Sequence, residues 1–316
     1  MPQPTVSDVH VDAILTNISV AYMQEADNFV ASRAFPQIPV QKQSDKYFTY
    51  SQADFFRDQV QLRADGTPSA GTGYSLSTAT YAAEVYALHK DIGDQVRANS
   101  DNPLDPDMDA TRFLTQQMLI RQEVDFAANA FTTGIWDNDV TPGTLWSASG
   151  STPIANIENG KVTVMNATGY VPNTLILSYK AFSALVDNAD IVDRIKYTTQ
   201  ESVTPDLLAR VFNLDRVLIM SATYNTAAEG ATASYSAVGD RDALLCYVPR
   251  NPGLMVPSAG YQMVWSGISA GLGTQSAVSR FRIDELKADR IEIEAAWDTK
   301  IVSSALGYFF SNPVAA

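Results

Sequence analysis

Tyr47-Phe48-Thr49-Tyr50 and Tyr81-Ala82-Ala83-Glu84-Val85-Tyr86-Ala87-Leu88 stand on either side of Asp65-Gly66-Thr67-Pro68-Ser69-Ala70-Gly71-Thr72-Gly73. The first run leans to β structure and continues through Leu62. The second begins at Tyr74, and in it Tyr81, Ala83, Val85 and Ala87 alternate with Ala82, Glu84, Tyr86 and Leu88. The segment between them is rich in turn residues. Taken as one hairpin with arms of ~17–20 residues, at ~3.3 Å each, the excursion reaches ~55–65 Å. A chain of 316 residues folded as one body has a radius of gyration of ~20 Å and a diameter near ~50 Å. The hairpin is then as long as the body. An isolated hairpin is marginal in water, so this one needs a surface to lie on, such as a neighbouring subunit. The alternative is an ordinary pair of strands folded back on the domain.

The composition points the same way. The chain is 46% hydrophobic and only 18% charged, where globular domains run nearer ~25% charged. Ample apolar content with little charge implies surface that something covers. Twenty-two basic residues against 35 acidic give a net charge of −13. That argues against a nucleic-acid binder, which needs a basic field to replace phosphate counterions, and equally against a polybasic membrane binder. The N-terminus shows neither the basic nor the apolar region of a signal peptide, and no apolar run approaches the ~20 residues of a membrane span. The expectation is a protein made in a reducing cytoplasm.

Outward from the hairpin, residues 1–35 read as an arm. Val11, Ile14, Leu15, Ile18 and Tyr22 follow helical spacing, and Asp8 could cap the start. Phe35-Pro36-Gln37-Ile38-Pro39-Val40 is extended, because residues before proline avoid the α region. An acidic lead-in over 91–109 precedes a helix expected from Ala110 to Phe131, about 33 Å long. Phe113, Ile120, Val124, Ala127 and Phe131 mark one face, widened by Leu114 and Met118. Residues 134–160 read as loop. Strands are expected at Thr174–Leu177, Arg216–Met220 and Ala243–Val248, with a helix over Tyr179–Lys196 and another opened by Thr204-Pro205. Strands alternating with helices suggest an α/β subdomain over about 172–260. Ile291, Ile293, Ala295 and Trp297 then alternate with Glu292, Glu294, Ala296 and Asp298 in a long strand, followed by Ile301–Phe310.

Catalytic motifs are weak. Gly267-Ile268-Ser269-Ala270-Gly271 matches G-x-S-x-G, but both histidines, His10 and His89, precede it and no helix pattern follows Ser269. Asp105, Asp107 and Asp109 have calcium-loop spacing, yet Ala110 stands where glycine is needed and Gln116 where glutamate is needed. They suit a helix start better. The lone cysteine, Cys246, sits in an apolar run and reads as core. No catalytic residue, cofactor site or metal site is expected.

Several segments together resemble a tailed-bacteriophage major capsid protein of the Hong Kong 97 (Johnson) fold. The strongest is Tyr247-Val248-Pro249-Arg250-Asn251-Pro252-Gly253-Leu254-Met255-Val256-Pro257-Ser258-Ala259-Gly260-Tyr261. Beside it stand Asp101-Asn102-Pro103-Leu104-Asp105-Pro106-Asp107, which leads into the helix with Arg121 and Glu123, then Pro172–Ser178 and Leu306–Phe309. The resemblance spans roughly residues 25–311 and implies an α+β fold in four parts. These are an N-terminal arm (1–44), an extended β-hairpin loop (45–90), a peripheral domain with a long spine helix (91–170 and 275–316), and an axial α/β domain (171–274). It implies contacts between subunits at Phe55, Phe56, Arg57, Asp58, Arg63 and Asp65 in the loop. Phe113, Arg121, Glu123 and Phe131 would lie on the spine helix, and Tyr224, Asn225 and Tyr235 in a tip loop at the five-fold and six-fold axes.

The resemblance further implies hexamers and pentamers closing a shell around double-stranded DNA without sequence-specific binding or membrane contact. Partners would be a portal and a decoration or cement protein, and the location the virion, after assembly in the host cytoplasm. Few residues precede Phe35-Pro36, so a separate scaffolding protein is expected rather than a fused scaffolding segment. No lysine lies between Lys46 and Lys90, so the lysine cross-link of some relatives is not expected. Two other readings stay open, an encapsulin-like bacterial compartment and an acidic α+β hydrolase using Ser269 or a carboxylate pair.

Overall fold

A computed structural model of the chain describes residues 23–100, 105–196, 203–253, 256–267 and 276–315. The arm helix over Val11–Tyr22, the Asp8 cap, His10 and Ser269 lie outside these residues. In chain order the strands are β1 (Gln37–Val40), β2 (Ser44–Tyr50), β3 (Leu76–Ala82), β4 (Glu84–Gly93), β5 (Asn138–Val140), β6 (Thr174–Ser178), β7 (Arg216–Met220), β8 (Thr223–Asn225), β9 (Tyr235–Ala237), β10 (Ala243–Cys246), β11 (Gly260–Trp265), β12 (Ser276–Ile283), β13 (Ala288–Ile301) and β14 (Gly307–Phe310). The helices are α1 (Ala31–Ala34), α2 (Gln52–Phe55), α3 (Asp94–Asn99), α4 (Pro106–Ala130), α5 (Pro153–Thr168), α6 (Tyr179–Val186), α7 (Ala189–Ile195) and α8 (Pro205–Val211).

The first sheet is built on β13, whose alternation the sequence announces. β4 runs antiparallel along one edge, from Ala288 to Trp297. On the other edge β12 pairs with Ala288–Ala295 and β11 with Trp297–Ile301, and β1 adds parallel to β11. Ile291, Ile293, Ala295 and Trp297 point to α4, where Ala110, Leu114 and Met118 meet them.

Helix α4 begins before Ala110. Asp105 accepts the Asp107 and Met108 amides at 3.1 and 3.2 Å, and Pro106 fills the first turn, where a missing N–H costs nothing. The buried face also differs from the expected one. Leu114, Met118, Gln122, Phe126 and Ala130 are buried at four-residue steps, with Glu123 beside them, while Phe113 is half exposed. The helix serves two cores. Its first half lies on β13, and Phe126, Ala130 and Phe131 pack under the second sheet. A ridge of four-residue steps follows that path, and hydrophobicity alone ranks Phe113 above the buried Gln122 and Glu123.

The second sheet has the order β5-β14-β10-β6-β7. All residues of β6 and β10 are buried, the pattern of strands covered on both faces. Ile176, Leu244, Cys246 and Phe309 face α1 and the end of α4. Leu175, Leu177, Ala243, Leu245 and Phe310 face residues of α5 to α8. Burial pushes the Cys246 thiol up to about 12, as suits an inert core residue.

Three expectations change here. The segment 134–160 is not all loop, because α5 begins at Pro153. Its Gly160 lies so close to Leu245 and Tyr308 that an added Cβ would stand 3.2–3.3 Å from them. A helix that tight needs glycine mid-way, and that glycine hides it from a propensity reading. The helix over 179–196 is two helices, broken at Asp187-Asn188. The Asn188 side chain caps α7 and donates to Trp146 O and Ser151 Oγ at 2.8 and 2.7 Å. Ile301–Phe310 is likewise interrupted, by a 3₁₀ turn at Ser304–Leu306.

Segments and sheets do not map one to one. Segment 171–274 supplies β6, β7 and β10 to the second sheet but β11 to the first. Segment 275–316 supplies β12 and β13 to the first sheet and β14 to the second.

Gly307 in β14 marks the closest packing. A Cβ there would stand 2.1–2.7 Å from the Trp136 ring. That ring is buried and its Nε1 donates to Ala130 O at 2.8 Å, so it has no room to retreat. Gly307→Ala is expected to destabilise the subunit by about 3 kcal/mol, the upper range for core overpacking, read as a lowered urea midpoint.

Candidate functional site

The loop over 45–90 carries a run of exposed apolar side chains, Phe48, Phe55, Phe56, Val60, Leu62 and Tyr74 among them. Its paired part is shorter than expected, because β2 and β3 pair over seven residues each, Ser44 against Ala82 through Tyr50 against Leu76. That gives a ribbon of ~23 Å at ~3.3 Å per residue, not 55–65 Å. The second run breaks at buried Ala83, whose amide donates to Gln43 O at 2.8 Å, and resumes as β4 in the first sheet. Beyond Tyr50 the chain turns into α2 and stays irregular to Ser75. Val60 and Leu62 keep strand-like alternation but have no partner. The opposing stretch holds Pro68, which has no N–H, and Gly66, Gly71 and Gly73, with Gly66 at φ +74°. Asp54 closes the neck by accepting the Ser75 hydroxyl and amide at 2.5 and 2.9 Å, which holds its carboxyl below the ordinary carboxylate value.

Exposure along this loop is extreme. Phe55 is 51% exposed, Phe56 58%, Val60 93% and Leu62 103%. Tyr50, Phe55 and Tyr74 form a ring cluster with centroids 5.6–6.0 Å apart. Gln52 donates to Ala167 O at 2.5 Å and Phe56 faces Gly169, so one side of the loop rests on the end of α5. Arg57, Asp58, Arg63 and Asp65 all face solvent, and Arg63 Nε donates to Thr67 O at 2.5 Å.

The residues expected on the spine helix divide. Glu123 is fully buried and accepts the Val30 amide at 2.9–3.1 Å and the Ala31 amide at 2.8 Å. Burial raises its carboxyl to about 7, against the opposing pull of those amides and of Arg33. Glu123 thus ties the segment entering α1 to α4. Arg121 lies 5.0 Å over the Tyr86 ring, which stacks on Trp297 at 4.3 Å. Phe131 packs edge-on to Phe309 at 5.7 Å. Phe113 is on the surface with Lys90 Nζ 5.8 Å from its ring centre. Tyr224, Asn225 and Tyr235 come together in the β8–β9 hairpin. Asn225 accepts the Ala227 and Ser234 amides at 3.1 and 3.0 Å, and Tyr235 is 77% exposed.

Two of the three calcium-like aspartates, Asp105 and Asp107, have structural partners. Asp105 caps α4, while Asp107 bonds Arg97 at 2.8 Å and Arg280 at 3.2 Å. Arg97 and Arg280 also bond Asp289 at 2.9 and 2.5 Å, and Arg282 bonds Asp94 through both oxygens. The Arg280 hydrogen bond, with Arg282 and Arg97, holds Asp289 at about 2. This alternating network fastens α3, α4 and the β12–β13 hairpin. Sequence reading missed it, because its members are far apart in the chain. Among the described residues no group of three or more His, Cys, Asp or Glu is placed to hold a metal ion, and no helix is long and apolar enough to cross a membrane.

No family model matches the chain. It is 23% identical over 313 residues to the major capsid protein of Burkholderia phage BcepMu, covering 96% of each chain. It is 23% identical over 314 residues to the major capsid protein of Pseudomonas phage JBD67, covering 97% of this chain and 98% of the relative. Among solved structures, a phage-related protein from Bordetella bronchiseptica RB50 superposes with a TM-score of 0.70 at 22% identity, covering 93% of this chain and 95% of that one. The capsid of cyanophage P-SCSP1u gives 0.62 at 10% identity, over 98% and 94%. The SrpI encapsulin of Synechococcus elongatus PCC 7942 gives 0.56 at 12%, over 99% and 96%. The likeness therefore covers the whole architecture.

Proposed function

We infer that the chain is a major capsid protein of a tailed phage with the Hong Kong 97 fold, a structural subunit that assembles in many copies into the icosahedral head around double-stranded DNA. The observation that carries this reading is the near-complete coverage shared with two phage major capsid proteins. The solvent-facing apolar side chains of residues 48–76 support it, since soluble monomers seldom leave such a patch uncovered.

On this reading the first sheet with α4 is the peripheral domain and the second sheet with its helices the axial domain. The β8–β9 hairpin is the tip near the five-fold and six-fold axes. The loop lies over an adjacent subunit, burying Phe55 and Phe56 and bringing Arg57 and Arg63 to acids there. A separate scaffolding protein, a portal and a cement protein are the partners this assembly calls for. An acidic wall also suits confinement of DNA without adhesion.

The second reading, a bacterial compartment shell, draws on the encapsulin superposition. Negative-stain microscopy of the expressed protein with a candidate scaffold tests both. Uniform shells or capsomers are expected, and a monomer under every condition overturns both readings. Double-stranded DNA inside native particles selects the phage head over the compartment. Cohesion is non-covalent, since the loop offers no lysine between Lys46 and Lys90. Particles boiled in denaturant are expected to run as monomer alone, and a ladder of heavier bands overturns this point.

A further inference from the structure

Two grooves of opposite charge lie at opposite ends of the second sheet. Strands β6 and β7 are parallel, and β10 is antiparallel to both β6 and β14, so β6, β7 and β14 all run the same way. A groove of about 700 Å³ opens where β6 and β7 begin and just beyond the end of β10. A groove of about 940 Å³ opens where β6 and β14 end. Strands of five residues at ~3.3 Å each set the two ends ~17 Å apart.

The first groove carries Arg33, Arg216 and Arg250 against a single carboxylate, Asp215, a net of +2 on a chain whose total is −13. Asp215 is already taken by Arg250 at 2.8 Å. Arg33 turns to Asp27 and to the backbone of Asp27 and Phe29. Arg216 is partly buried and donates only to neutral groups, Thr174 Oγ1 at 3.1 Å and Ala34 O at 3.2 Å. Burial lowers its pKa against the opposing pull of Asp215, and Arg33 nearby adds slightly to the lowering. The second groove is lined by Asp187, Asp190 and Asp193 against Lys180, a net of −2 among its lining residues, with Asp193 paired to Lys196 at 2.6 Å. Lys180 is drawn outward to Asp240 at 3.0 Å, and Asp187 is exposed at the end of α6. Opposite charges at opposite ends of one sheet suit a head-to-tail contact, and a head-to-tail contact that closes makes a ring.

We propose that the arginine groove of one subunit receives the aspartate groove of the next copy around a capsomer. The proposal rests on the shell reading above and names the surfaces that give capsomers their handedness and closure.

Charge reversal on the two faces tests it, with Arg250→Glu and Asp187→Arg, both exposed, made singly and together. The melting point of each unassembled subunit is measured first to establish folding. Each single variant is expected to raise the threshold concentration for capsomers about tenfold, and salt is expected to weaken wild-type assembly by screening the contact. Each single change takes its groove from a net of two charges to about zero, and the double variant restores assembly because the exchanged charges at positions 250 and 187 again attract. A mixture of the two single variants forms alternating rings, which close with six members but not with five. Assembly of both single variants at the wild-type threshold overturns the proposal. So does a double variant no better than the singles, since the two faces then do not meet. Wild-type protein that never forms capsomers overturns the shell reading itself, a failure seen before any variant is made.

Discussion

Glu123→Ala is expected to lower subunit stability by about 3–5 kcal/mol, since two buried amides lose their only acceptor at about 1–3 kcal/mol each and a cavity is left. Those amides, Val30 and Ala31, open the short helix that carries the entering chain onto α4. The loss is a large share of the ~5–15 kcal/mol that holds a domain folded. Glu123→Gln keeps one acceptor, and about half the loss is expected.

The pH dependence separates charge from shape. Burial lifts the Glu123 carboxyl from 4.5 to about 7, so between those values the folded state binds the proton more tightly than the unfolded chain. The stabilisation is complete below the unfolded value and disappears as pH rises through 7. A shift of this size corresponds to about 3 kcal/mol. Urea midpoints from pH 4.5 to 8 should fall for the wild type relative to Glu123→Gln. Parallel curves would show that this carboxyl is not the source.

Replacing Phe55 and Phe56 together with serine is expected to abolish shell formation and leave the subunit folded. Each ring is about half exposed in the subunit. Covering that half against a neighbour removes roughly 100 Å² of apolar surface, worth about 2.5 kcal/mol at ~25 cal/mol/Å². Two rings give about 5 kcal/mol per contact, several thousandfold in the association constant. Repeated around a closed shell, the loss compounds. Neither ring belongs to the cores of the two sheets, so the subunit stays folded, and the loss of the Phe55 contacts with Tyr50 and Tyr74 and of the Phe56 contact with Gly169 lowers the melting point by only a few degrees. Sedimentation and microscopy read the assembly, and shells at the wild-type threshold concentration would refute a role for these rings.

Legibility in the sequence followed the range of the interactions. Strands β6 and β10 were readable because a strand buried on both faces must be an unbroken apolar run, and the edge strand β7, only partly buried, is apolar from Val217 to Met220 as well. β13 was readable because one face meets α4 and the other does not, which enforces alternation. The start of α8 was readable in Thr204-Pro205, and Thr204 does accept the Leu207 amide at 3.3 Å. The loop was readable as an excursion, but the length of its pairing was not, because Pro68 and the glycines decide where a ladder can continue. The Phe113 face of α4 was misjudged, because the partner surfaces of a helix that spans two cores are set by distant strands.

The sequence by itself determined that this chain is an α+β protein with little charge, and that an excursion near residues 45–90 is rich in apolar and aromatic side chains. Apolar content and its period are local and survive in one dimension. Only the tertiary structure decided that Glu123 binds the chain entering α1, that Asp289 gathers arginines from β12 and α3, and that arginine and aspartate grooves stand at opposite ends of one sheet. Each of these joins residues distant in the chain, and a charge has no meaning for function until folding chooses its neighbours.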